Sequence, residues 1–170
     1  MKAITFISFF LFLIHATLSQ AQDFQSARWD MSSQDVIRLE QSAPVIEPPV
    51  IEGTKRLSFR GAAFGIPSEV TYQFVNNQLV AGAIKITALS EVDSRDQAQL
   101  ELKRIKDTLT AKYGHPEPIA EPKKTGEALQ WKNTRTRVML LYGVETGRLI
   151  ASVFYYSRKY HDIQHGFTTD

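Results

Sequence analysis

Apolar positions in this chain fall into one unbroken run, then two contrasting periods. The run comes first: Ile4 to Leu13 reads Ile-Thr-Phe-Ile-Ser-Phe-Phe-Leu-Phe-Leu and continues through Ile14. It follows Met1-Lys2 and closes at Ser19-Gln20-Ala21. The run is shorter than the roughly 20 residues a membrane span needs. A positive start, a short apolar core and small residues at the cut predict an export signal over residues 1–21, cleaved after Ala21. No later stretch approaches spanning length. The expected product is therefore a periplasmic or secreted protein with no membrane insertion after cleavage.

Beyond the signal the period becomes helical. Ser32 is placed to cap the first turn of a helix, with Asp35 reaching back to it and Met31 and Val36 forming a hydrophobic staple. Val36 and Leu39 continue one stripe, and Ala43-Pro44 is expected to end the helix after about three turns. The connector from Pro44 to Glu52 contains Pro48-Pro49 and must be extended.

Alternation then takes over. Leu57, Phe59 and Ala63 alternate with Ser58, Arg60 and Ala62; Gly65-Ile66-Pro67-Ser68 interrupts; Val70, Tyr72 and Phe74 alternate with Thr71 and Gln73. Asn76-Asn77 signals a tight hairpin, because Asn tolerates positive φ. A third strand over Leu79–Ala88 places Val80, Ile84 and Ile86 on one face.

The helical period returns in Ala98, Leu102, Ile105, Leu109 and Tyr113, one face of a helix stopped by Gly114 and Pro116. Acidic residues lie toward its start and Lys103, Arg104, Lys106 and Lys112 toward its end, as the helix dipole favours. A second polar connector, His115–Gly126, leads to three more strands: Ala128–Lys132, Arg135–Tyr142 and Arg148–Tyr156. Residues from Lys159 to Asp170 show no period.

Helix, connector and three strands thus occur twice, with a period of roughly 65 residues. The predicted fold is α+β: two α-β-β-β repeats forming a largely antiparallel sheet, with helices packed on one face. The predicted divisions are a signal at 1–21, modules at 22–90 and 91–158, and a polar tail at 159–170.

This layout resembles small helix-plus-three-strand modules of bacterial envelopes. They open with Gly-Met-Thr/Ser-x-x-x-Val, pass a Gly-x-Pro helix end and continue into a Trp-bearing strand. Here the phrase is Asp30-Met31-Ser32-Ser33-Gln34-Asp35-Val36, and the second half has Tyr113-Gly114-His115-Pro116 followed by Trp131. Such modules occur in the small-lipoprotein family of the outer-membrane β-barrel assembly machine and, in tandem, in β-lactamase inhibitor proteins. Asp30 stands where those families have Gly, Ser42-Ala43-Pro44 replaces Gly-x-Pro, and a lipobox Cys is missing. The resemblance implies a non-catalytic module that binds protein through its sheet or loops. The matched positions are fold positions, so no binding residue is carried over.

Composition narrows the chemistry. The 170 residues are 43% hydrophobic and 22% charged, which suits one globular core and excludes fibrous or disordered classes. A net charge of +2, one less without Lys2, gives no electrostatic basis for nucleic acid binding. With no Cys there are no disulfides, thiolate metal sites or thiol catalysis.

Three histidines follow the signal. His161 and His165 have the i, i+4 spacing of a zinc motif but lack its Glu, and His115 sits past a helix end where it can meet the last carbonyls. No nucleophile elbow or phosphate loop occurs. The expectation is a non-enzyme with no cofactor and no metal.

Two strands stand out because both their faces are apolar: Val138–Tyr142 and Leu149–Tyr156. Helices cover one face only, so Met139, Leu141, Phe154 and Tyr156 are expected to meet a partner, a second copy or the Pro-rich connectors. Arg135 and Arg137 are expected to point from one strand face, near Lys132 and Lys123-Lys124, and to orient the partner. The resulting reading is an exported protein-binding module, an envelope accessory or an inhibitor or immunity-type protein. Its partner would be another exported protein, or itself as a homodimer. The alternative is a small-ligand-binding protein or enzyme with a pocket between sheet and helices.

Overall fold

A computed structural model describes residues 22–47, 53–87, 89, 95–119 and 126–160. The expected signal (1–21), His161, His165 and the Lys123-Lys124 pair lie outside the described residues. In chain order the elements are α1 (Ser33–Glu40), β1 (Val45–Glu47), β2 (Thr54–Ala63), β3 (Ile66–Val75) and β4 (Gln78–Ile86). They are followed by α2 (Arg95–Tyr113), β5 (Glu117–Pro118), β6 (Gly126–Lys132), β7 (Thr136–Glu145) and β8 (Arg148–Ser157). The strands form one sheet in the order β1-β2-β3-β4-β8-β7-β6-β5, and every neighbouring pair is antiparallel. The protein is thus α+β.

Three long hairpins come from tight turns with both central residues left-handed: Phe64-Gly65, Asn76-Asn77 and Thr146-Gly147. Such turns match the right-handed twist of the strands they join. The first is tighter than the sequence pattern suggests, since Ile66, Pro67 and Ser68 already belong to β3. Asn77 also tethers α1: its Oδ1 accepts from Ser33 N (3.1 Å) and Ser33 Oγ (2.9 Å).

Helix α1 starts where expected. Ser32 Oγ accepts from Asp35 N and donates to Asp35 Oδ2 at 2.6 Å. That bond, with Arg38 beside it, holds the Asp35 carboxyl below its ordinary range. The helix has eight residues rather than three turns, because Gln41 takes the left-handed C-cap conformation (φ 52°) ahead of Pro44. Asp30, just before the helix, has φ 68°. Asp is among the few residues that adopt this region readily.

Both Pro-rich connectors supply edge strands that the sequence pattern did not predict. β1 pairs with Arg56–Ser58 of β2, and β5 pairs with Leu129-Gln130 of β6. Their described residues extend the sheet at its two edges.

The core lies on one side of the sheet. Ala98, Leu102, Ile105 and Leu109 of α2 and Val36 of α1 join one cluster with Leu57, Phe59, Val70, Tyr72, Ile84, Val138, Leu140, Val153 and Tyr155. Val80, expected on one face with Ile84 and Ile86, is instead the extra residue of a β-bulge, buried but outside their core cluster: Leu79 pairs with Phe74 and Ala81 with Gln73.

Residues 22–31, for which no period predicted structure, complete this layer. Phe24 is fully buried over Gly82, with its ring 4.9 Å from those of Tyr72 and Tyr155. Trp29 Nε1 donates to Thr136 Oγ1 at 3.0 Å. Asp23, 5% exposed, accepts from Trp29 N and pairs with Arg135 at 2.7 Å.

Candidate functional site

The antiparallel register sorts side chains onto two faces with a period of two. Opposite the helices, one cross-strand row reads Arg56, Gln73, Ala81, Tyr156, Arg137, Lys132. The next reads Ser58, Thr71, Ala83, Phe154, Met139, Gln130, and the third reads Arg60, Glu69, Lys85, Ser152, Leu141, Ala128. No described helix packs on this side.

Five of the six residues expected to form an interaction surface come together here. Arg137, Met139, Leu141, Phe154 and Tyr156 occupy neighbouring positions of β7 and β8. Met139, Phe154 and Tyr156 are half-buried, and Leu141 is 36% exposed. Arg135 does not join them. It lies in the bend before β7, where Asn133 Oδ1 accepts from the backbone N–H of both Arg135 and Thr136, and its guanidinium turns to buried Asp23. Alternation does not extend into a bend, so Arg135 and Arg137 do not share a face.

The middle of the open face is a trough of about 330 Å³, lined by Arg56, Thr71, Gln73, Ala81, Gly82, Ala83, Phe154 and Tyr156. Its depth follows from residue size: in the first two of these rows β4 contributes only Ala81 and Ala83, while its neighbours contribute longer side chains. Several of these are held in place. Arg137 Nε and Nη2 both donate to Gln130 Oε1, at 3.2 and 2.7 Å. Gln130 and Lys132 in turn donate to Glu117 on the edge strand, and Ser58 and Thr71 hydroxyls bond at 2.8 Å. Burial raises the Tyr156 phenol, with Arg137 opposing the shift. Tyr156 is therefore a neutral hydroxyl donor at ordinary pH.

A second, larger concavity of about 470 Å³ sits at the β7–β8 hairpin, lined by Gly126, Glu127, Leu141, Tyr142, Val144, Ile150 and Phe154 among others. Leu141, Val144 and Ile150 are 36%, 47% and 40% exposed, a concentration of apolar side chains at one end of the molecule. On its helix side Lys106 Nζ lies 4.0 Å from the centre of the Tyr142 ring, and Glu127 accepts from the Tyr142 hydroxyl.

Sequence reasoning missed the β2–β4 half of the trough. Arg56, Thr71 and Gln73 read as the polar side of alternating strands, and only the β4–β8 pairing brings them to Phe154 and Tyr156. His115 is exposed in the bend after α2. Among the described residues, no group of three or more His, Asp or Glu is placed to hold a metal, and no helix is long and apolar enough to cross a membrane. No protein-family model matches the chain, and no curated protein or solved structure is significantly similar to it.

Proposed function

We propose that this is an exported, non-enzymatic protein-binding module that docks a partner on the open face of its sheet. The observation that carries the reading is the grouping of Met139, Leu141, Phe154 and Tyr156, beside Arg137, on the face away from the helices. Aromatic and Arg anchors around a shallow depression are the composition of a protein interface. The alternative pocket between sheet and helices is disfavoured because Phe24 fills the space over Gly82.

The proposal includes two α-β-β-β modules in tandem, at 22–90 and 91–158. Its support is the element order and the antiparallel meeting of β4 with β8, the last strand of each half, at the sheet centre. It also includes an export signal over residues 1–21, giving a periplasmic or extracellular site of action. An envelope-assembly accessory, or an inhibitor or immunity-type protein, fits these features.

The test is cross-linked affinity capture from envelope and culture-medium fractions, run in parallel with the wild type and a Phe154→Ser/Tyr156→Ser variant. One dominant protein, recovered by the wild type and lost by a variant that remains folded, is the expected result. Recovery of the bait alone would turn the reading toward a homodimer or a small ligand.

A further inference from the structure

We infer that, when no other protein is bound, the open face is covered by a second copy of this chain, with the β8 ridge of each copy seated in the β4 trough of the other. The inference rests on the docking reading above and adds what occupies the face. Three observations carry it.

The first is self-complementary shape. Ala83 and Phe154 are register partners, and so are Ala81 and Tyr156, so a ridge of two rings runs directly beside a trough floored by two alanines. A two-fold axis parallel to the strands, midway between β4 and β8 and in the plane between two stacked sheets, lays β8 of each copy over β4 of the other. Each ring then meets an alanine of the opposite copy in the same rung, Phe154 over Ala83 and Tyr156 over Ala81. Large side chains over small ones let two sheet faces interdigitate at a separation of about 10 Å. A foreign surface must present a matching ridge to fill the trough, and an unfilled trough forfeits contacts. A second copy presents that ridge at the right offset, because ridge and trough are neighbours in its own sheet.

Polarity agrees with shape. The row through Ala83 and Phe154 also holds Ser58, Thr71, Met139 and Gln130, with no charged residue from β2 to β6. The same axis sets β3 over β7, so Met139 meets Thr71, whose hydroxyl already bonds to that of Ser58. This row therefore meets its copy without burying a charge. In the flanking rows Arg137 turns onto Gln130, toward the β6 edge, and Glu69 lies in register between Arg60 and Lys85.

The third observation is area. The six strands from β2 to β6 across the sheet are seven to ten residues long. At about 4.8 Å between strands and about 3.4 Å per residue, the open face measures roughly 29 Å across and roughly 24–34 Å along. A stable dimer needs about 800 Å² from each copy, which a face of that size supplies.

The experiment is sedimentation velocity with light scattering on the chain from Gln22 onward, over roughly 1–100 μM. The wild type is compared with Ala83→Phe, which fills the trough, with Phe154→Ala, which removes the ridge, and with the double variant, which exchanges the two. Circular dichroism checks that each is folded. The expected result is a wild-type dimer, weakened roughly tenfold or more by either single substitution and regained in the double variant.

A wild type that stays monomeric, a dimer indifferent to both single substitutions, or a folded double variant that does not recover would each overturn the inference. The capture comparison under the docking reading is scored separately. A monomer that still captures one protein through Phe154 and Tyr156 would keep that reading and overturn the second copy. A dimer that follows the expected pattern and captures nothing would keep the second copy and remove the docking of another protein.

Discussion

Gly82 is required by contact and not by φ: a Cβ there would fall 2.2 Å from Phe24 Cε1, inside the closest approach of two carbons. Gly82→Ala is expected to cost about 1–3 kcal/mol as the ring is pushed off the sheet. Phe24→Ala should cost about 3–5 kcal/mol. Urea unfolding of both single variants and the double variant checks this. The double variant should lose less than the sum, because the added methyl clashes with nothing once the ring is gone.

Tyrosines provide a second test. Burial, with the nearby Asp23 charge, pushes the Tyr113 phenol from 10.0 up to about 12, and burial also raises Tyr72 and Tyr155. A folded-state pKa above the unfolded one contributes stability that is complete below pH 10 and is lost as pH rises through the folded value. Stability should therefore hold to about pH 10 and fall above it, and Tyr113→Phe should soften the fall. Phenolate absorbance at high pH, followed beside circular dichroism, checks this; full ionisation near pH 10 in a folded chain would refute it.

Elements in this protein are set largely by their ends. Asn76-Asn77 and Gly147 supply turn chemistry that is visible in the chain, and the 4-3-4-4 spacing of α2 reproduces its buried face from Ala98 to Leu109. Thr146 runs against that logic: it is β-branched and sits at φ 49°. Thr146→Asn should stabilise the β7–β8 hairpin by up to about 1 kcal/mol by relieving that strain, read as a raised thermal midpoint. An unchanged midpoint would mean that the turn carries no strain to release. The edge strands β1 and β5 escaped prediction because Pro-rich connectors do not alternate; Val45–Glu47 and Glu117-Pro118 pair only because a strand edge lies beside them. The polarity of Arg135 continues the alternation of β7 and so predicts a strand position, whereas the chain bends there.

For the whole molecule, the decisive contrast is between adjacent residues on opposite faces. Tyr155 is 5% exposed on the helix side, whereas Tyr156 is half-buried on the open side. Tyr155→Ala is expected to cost about 3–5 kcal/mol, in the range for large buried aromatics. Tyr156→Ser should cost less than about 1.5 kcal/mol, since its neighbours on that side leave a trough and not a packed layer. Denaturant melts of the two variants check the pair, and equal losses would mean that the open face is core.

By itself the sequence determined the local conformations. Positive-φ turn residues, the Ser32 cap, the helical spacing of α2 and the alternation in β3, β7 and β8 each act within a few residues, so their signals survive in one dimension. It also made the two apolar faces of β7 and β8 visible, and with them most of the candidate surface. Only the tertiary structure decided that β4 pairs with β8, that Phe24 seals the centre of the core and that Arg56 faces Tyr156 across the trough. Those contacts join residues far apart in the chain. They are selected by shape and burial across the whole sheet, and no local pattern in the chain encodes that selection.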